Sequence, residues 1–336
     1  MTIHILVVFL VMYLSIPLLI VHSRRLRGRR LTVSFFVSSF LFGLAKETGS
    51  FISIPGVFSH PAPFIHTSGM PLSLAIVNTA IGWMIVFYLS WHLAERIFDR
   101  IRKSSPEIFP LILVAAMIVA AFAYGIEEAA VGCHWWRWHF FDPLGSGYLT
   151  EHVHPFALSA WFYFSISFFT PYFLIECSRF KKTGWKYLFF LLPFTRVYTM
   201  LFIGRDIPRE MYDYGFLGIL IILSFLYRLG VESSRYTESM SERRGFGWCV
   251  FSAPLLVTAG IILMSVLSQA SCFDALDSIV SVFPLSAVLL LSLSFVPLWV
   301  ITTAWVVTLA MFGVTGISAG VPIVVVLFLR KISCKK

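Results

Sequence analysis

The chain has 336 residues, of which 58% are hydrophobic and only 13% charged, and its formal net charge is +9. Soluble domains carry roughly a quarter of charged residues, so this composition excludes a water-soluble globular fold. The basic residues lie in short stretches between apolar runs, where they act as topology signals, and no nucleic-acid partner is expected.

The apolar runs are about 20 residues long, the length needed to cross a bilayer as a helix. Backbone groups in lipid are satisfied only by helices or closed barrels, and the short period-two alternation of a barrel strand does not occur. The expected fold class is therefore all-α: a polytopic integral membrane helix bundle of about nine or ten spans. Its expected surroundings are the lipid bilayer of the cell membrane.

The first span covers residues 3–21. No basic segment precedes it, so it reads as a retained helix and not as a signal peptide. Arg24, Arg25, Arg27, Arg29 and Arg30 follow and assign that loop to the cytoplasm, which places the N-terminus outside. The second span, 31–55, runs outward and carries Lys46 and Glu47. The third returns over 71–92 to a loop with Arg96, Arg100, Arg102 and Lys103. The fourth, 108–132, runs outward, and the fifth, 155–176, leads to Arg179, Lys181, Lys182 and Lys186. Spans at 187–204, 214–229 and 248–270 complete the series, with Arg228, Arg235, Arg243 and Arg244 after the seventh.

Residues 279–329 are almost uncharged and hold two spans or one span and a re-entrant segment. Two spans would put the tail Arg330, Lys331, Lys335 and Lys336 outside, against the charge rule, so both arrangements stay open. The chain divides into a seven-span core, residues 1–247, with a candidate site at its outer face, and a hydrophobic C-terminal region of two or three segments, 248–336. The five cysteines show no CxxC spacing and read as small apolar residues.

Three carboxylates fall inside this frame, Glu47, Glu127 and Glu128. At about 1.5 Å per helical residue, Glu47 and Glu127 lie roughly 24–29 Å from the cytoplasmic side. Ionisable groups at membrane depth usually face the bundle interior and can serve there as proton donors. Two plainer accounts compete: solvation at the end of the fourth span for Glu127 and Glu128, and a local pair with Lys46 for Glu47. Glu95, Glu107 and Glu176 border cytoplasmic loops and carry no assigned role.

Trp136, Arg137 and Trp138 follow the fourth span. They form either an interfacial aromatic belt or indole faces that steady a cation. Trp83 and Trp91 in the third span and Trp161 in the fifth either line the same cavity or pack against lipid and core. His134, His139, His152 and His154 are weak candidates for a metal site, since zinc takes three or four such ligands but no HExxH motif occurs.

Over about residues 40–180 the order of features resembles the carotenoid biosynthesis protein family that includes bisanhydrobacterioruberin hydratase. The matching residues are Glu47-Thr48-Gly49, then Gly69-Met70-Pro71-Leu72, then Trp83 or Trp91. Glu127-Glu128-Ala129, Trp136-Arg137-Trp138, Pro155 and Trp161 follow. Pro55-Gly56-Val57-Phe58 stands where that family has a glycine-aromatic-tyrosine sequence. The resemblance implies a membrane enzyme of the lyase class that hydrates a terminal C=C bond of an acyclic carotenoid or related isoprenoid by acid catalysis, with no cofactor. It implies Glu127 or Glu128 as the acid, Glu47 as the group that orients water, and Trp83, Trp136, Trp138 and Trp161 against the substrate. Alternative readings are a metal-dependent membrane lipid hydrolase, a proton-coupled transporter and an assembly subunit. The oligomeric state is not encoded in any pattern found.

Overall fold

A computed structural model describes residues 3–51, 64–66, 71–102, 108–132, 135–138, 155–177, 184–191 and 253–270, with helical positions 285–286, 288–289 and 292. The helices are α1 (Ile3–Phe51), α2 (Leu72–Arg102), α3 (Ile108–Gly132), α4 (Pro155–Cys177), α5 (Trp185–Leu191) and α6 (Ala253–Ala270). Two three-residue strands, β1 (Phe64–His66) and β2 (Trp136–Trp138), form a small antiparallel ribbon. Among the described residues, three stretches, Val8–Thr48, Leu72–Asp99 and Ile108–Gly132, are long and apolar enough to cross a membrane. The protein is an all-α membrane bundle, as the composition requires. The expected spans at 214–229 and beyond residue 279 lie mostly or wholly outside the described residues, as does most of 187–204.

The element α1 contains two of the expected spans. Its helical run is interrupted only at Gly28, at φ 77° and ψ 167°, a conformation open essentially to glycine alone. The arm before Gly28 runs parallel to α2: Tyr13 bonds Asn78, His22 bonds Tyr88 and Arg27 bonds Glu95. The arm after it runs antiparallel, with Phe35 against Trp91, Phe42 against Phe87 and Glu47 against Trp83. The chain thus reverses at one residue. The loop expected over residues 22–30 is instead helix on both sides of that glycine, because arginine is a good helix former and nothing before Gly28 compels an end. Similarly, α2 continues past the expected end at His92 to Arg102. Leu93, Ala94, Ile97 and Phe98 keep an apolar face at helical spacing, and all four are buried.

The second arm crosses α2 closely at Gly43. A Cβ there would lie 2.9 Å from the Ala80 Cα and 3.1 Å from its carbonyl oxygen, so only glycine fits. The core around this crossing is aromatic. Phe87 and Phe168 stack in parallel at 4.6 Å, and Phe35 meets Trp91, Phe168 and Tyr172. Between α2, α4 and α6 lies α3, whose alanines permit close helix approach.

At one end of the bundle, ion pairs to buried carboxylates join the turn of α1 to the ends of α2 and α4. Arg27 pairs with Glu95, Arg30 lies 2.6 Å from Glu176, and Lys186 of α5 lies 2.8 Å from the same carboxylate. Glu95 and Glu176, expected to be loop-bordering acids without a role, are buried partners in these pairs. Arg27 and Lys186 are likewise buried and are not loop charges. Removing Arg27 or Glu95, both buried, strands the other's charge out of water, which costs about 3–5 kcal/mol. The pairs also gather residues 27, 95 and 176 at one face, matching the alternation of basic loops in the sequence.

A candidate site of paired carboxyls and indoles

The opposite end of the bundle collects four of the residues singled out from the sequence. Glu47 lies one helical turn beyond Gly43, where the tight crossing brings the second arm of α1 onto α2. Glu47 is fully buried, and its Oε1 accepts two hydrogen bonds: from Trp83 Nε1 of α2 at 2.6 Å and from Lys46 Nζ at 2.7 Å. Its other oxygen, Oε2, finds no partner among the described residues. The local pair with Lys46 foreseen for Glu47 is therefore present, but inside the protein and shared with an indole.

The arrangement repeats across the bundle. Trp161 Nε1 of α4 donates to Glu127 Oε1 of α3 at 2.6 Å. The two indoles meet between the carboxyls, with ring centroids 4.4 Å apart and planes inclined by 36°. Glu47, Trp83, Trp161 and Glu127 thus form a continuous line through four helical segments. The Lys46 ammonium lies 5.1 Å from the Trp83 ring centroid and 4.9 Å from that of Phe164. An indole that donates its N–H to a carboxylate gains electron density on its ring, and this one already holds a cation on its face.

Glu127 and Glu128 are 1% and 2% exposed, so the account of solvated residues at a span end is overturned. The helix continues past them to Gly132 and closes with a bond from the Trp135 N–H to the Ala130 carbonyl at 2.7 Å, which keeps both acids inside the packed length of α3. No protein-family model, curated protein or solved structure matches the chain. The site is therefore read from its own chemistry.

Trp136 and Trp138 belong to β2, whose backbone pairs with β1 in the register Phe64 to Trp138 and His66 to Trp136. This ribbon ties the segment after α1 to the segment after α3 at the end that carries Glu47 and Glu127. The placement of the Trp136 and Trp138 side chains lies outside what the structure describes, and His134, His139, His152 and His154 also fall outside the described residues. Among the described residues, no three histidine, cysteine or acidic side chains converge as a metal site would require.

Trp91, grouped from the sequence with Trp83 and Trp161, belongs elsewhere. It sits two turns further along α2, with the Arg27 guanidinium 3.9 Å from its ring centroid. Around it is a second polar cluster that the sequence reading missed. His22 Nδ1 meets the Tyr88 hydroxyl at 2.6 Å, Arg27 donates to the same oxygen at 3.0 Å, and the His22 and His92 rings lie edge to face at 4.7 Å. The available signal was the polar face His92, Glu95, Arg96 and Asp99 at helical spacing, which marks α2 as continuing beyond the apolar run.

Proposed function

We propose that the chain is a multi-pass cell-membrane enzyme, with its N-terminus outside, that hydrates a terminal C=C bond of an acyclic carotenoid by acid catalysis. The observation that carries this reading is the line from Glu47 through Trp83 and Trp161 to Glu127: two buried carboxyls with electron-rich aromatic faces between them. Hydration of an isolated alkene needs a proton donor, a means of steadying a tertiary cation and a positioned water. These groups supply all three functions without an electron donor or acceptor.

In this scheme Glu127 delivers its proton to the terminal CH of the alkene, with Glu128 as the adjacent alternative, and the C=C electron pair forms the new C–H bond. Positive charge develops at the tertiary carbon, where the Trp161 indole attracts it, backed by Trp83, which carries the Lys46 ammonium and stacks on Trp161. Trp136 and Trp138 are the further aromatic groups proposed to flank the substrate. Glu47 is held through Oε1 by Lys46 and Trp83, which leaves Oε2 to accept a hydrogen bond from water. That water adds its oxygen to the cation and gives its proton to Glu47. Proton return from Glu47 to Glu127 restores the starting state, and the product is heavier by one water. The substrate resides in the bilayer, so its end reaches the site from between helices.

Expression in a host that accumulates an acyclic carotenoid, followed by chromatography of the pigments with mass detection, tests the proposal. The expected result is a new pigment heavier by one water. Glu127→Gln and Glu47→Gln should each lower its formation by about 10²–10⁴-fold, the usual contribution of a positioned acid or base. An unchanged pigment profile with the protein present in the membrane removes this substrate class. Full activity in both variants removes the mechanism.

A further inference from the structure

The turn of α1 sorts its arginines. Arg27 points inward to Glu95 and is buried, whereas Arg24, Arg25, Arg29 and Arg30 are exposed. Arg24 and Arg29 form no ion pair among the described residues. Arg30 reaches Glu176 with one nitrogen while its side chain stays 49% exposed. A single-residue reversal at Gly28 therefore presents several guanidinium groups at one tip of the bundle.

The surface below that tip is apolar on both arms and continues in line with the arginines. On the first arm, Leu10, Leu14, Leu18 and Val21 are 45–60% exposed and lead at helical spacing to Arg25. On the second, the exposed Val33 and Val37 stand four and eight residues from Arg29 on the same face. Large aliphatic side chains exposed along a membrane-crossing helix face acyl chains. From Leu10 to Val21 the stripe rises about 17 Å, a substantial part of the hydrocarbon thickness of roughly 30 Å. The arginines come directly after its end.

We propose that this tip is a binding surface for the phosphate groups of anionic phospholipids in the adjoining leaflet. The guanidinium fork matches phosphate oxygens in two-point contact, and a lipid with net negative charge satisfies both the charge of the tip and the apolar stripes beneath it. A free phosphate would satisfy only the first. Such a surface requires only the two membrane-crossing arms of α1 and is independent of the proposed reaction.

The test uses the full chain in phosphatidylcholine nanodiscs with a minor share of spin-labelled phosphatidylglycerol, compared with spin-labelled phosphatidylcholine. Electron paramagnetic resonance reads the fraction of each lipid held at the protein surface. Phosphatidylglycerol should be enriched, by roughly fivefold for each arginine engaged, and the enrichment should fall with salt. Arg24→Gln with Arg29→Gln should lower it several-fold, with Arg25 and Arg30 still at the tip, while Arg24→Lys with Arg29→Lys should retain most of it. Equal retention of the two lipids by the unmodified chain overturns the proposal without recourse to any variant. Enrichment unchanged in the double Gln variant also overturns it, as does displacement of the lipid by inorganic phosphate beyond the effect of chloride at the same ionic strength.

Discussion

Trp83 has two separable contributions, since its N–H holds Glu47 and its ring stacks on Trp161. Trp83→Phe preserves a ring in the stack but removes the donor, leaving Glu47 Oε1 with Lys46 alone. A buried acceptor that loses its donor costs about 1–3 kcal/mol, so the variant should unfold at lower temperature in detergent, and Trp161→Phe should behave alike through Glu127. Unfolding temperatures equal to those of the unmodified chain would mean that these bonds contribute nothing to stability. At this scale the sequence was informative for a physical reason. Glu47 and Glu127 stand in largely apolar runs, where a carboxyl needs a partner, and beside Lys46 the indoles on neighbouring spans are among the few donors available. Trp91 shows the limit of that reasoning. An isolated tryptophan in an apolar span has no feature that tells an indole beside a carboxylate from one beneath a guanidinium.

The helices depend on glycine in ways that predict opposite outcomes for the same substitution. Gly28→Ala places a side chain at φ 77°, which costs about 1–3 kcal/mol. Gly43→Ala drives a methyl group into the Ala80 backbone at 2.9 Å, and overpacking of this kind costs about 1–3 kcal/mol as the second arm shifts off α2. At Gly260 of α6 an added methyl group would meet nothing within 4 Å, and alanine there should stabilise the helix by about 0.5–1 kcal/mol. Thermal unfolding of the three variants in one detergent checks the signs together. A Gly43→Ala protein as stable as the unmodified chain would show that the second arm does not cross α2 at Gly43. The existence of these helices was legible, because apolar length alone specifies a span. Their ends were not: the sequence predicts a break at the arginines, whereas the chain stays helical up to Gly28, and α2 extends through a charged but amphipathic stretch.

For the molecule as a whole, charge alternation and ion pairing point to the same ends of the helices. The loop charges predict that the α1 turn, the end of α2 and the end of α4 share a face, and Arg27–Glu95 and Arg30–Glu176 join those same ends. The carboxyl–indole line lies toward the other end, at Trp83, about 16 Å along α2 from its start at Leu72. This arrangement places the ion pairs and the start of α2 toward opposite ends of the bundle, and the charge rule predicts that the end with the α1 turn is cytoplasmic. In a chain whose five cysteines are replaced by serine, single cysteines can be introduced at the exposed positions Arg24 and Pro71. In intact cells a membrane-impermeant maleimide should label Pro71→Cys and should reach Arg24→Cys only after permeabilisation. The reverse pattern would preserve the hairpin and invert the orientation, moving the candidate site to the cytoplasmic side. Labelling of both in intact cells would break the hairpin itself, because an α1 that reverses at Gly28 cannot present its turn and the start of α2 on one face.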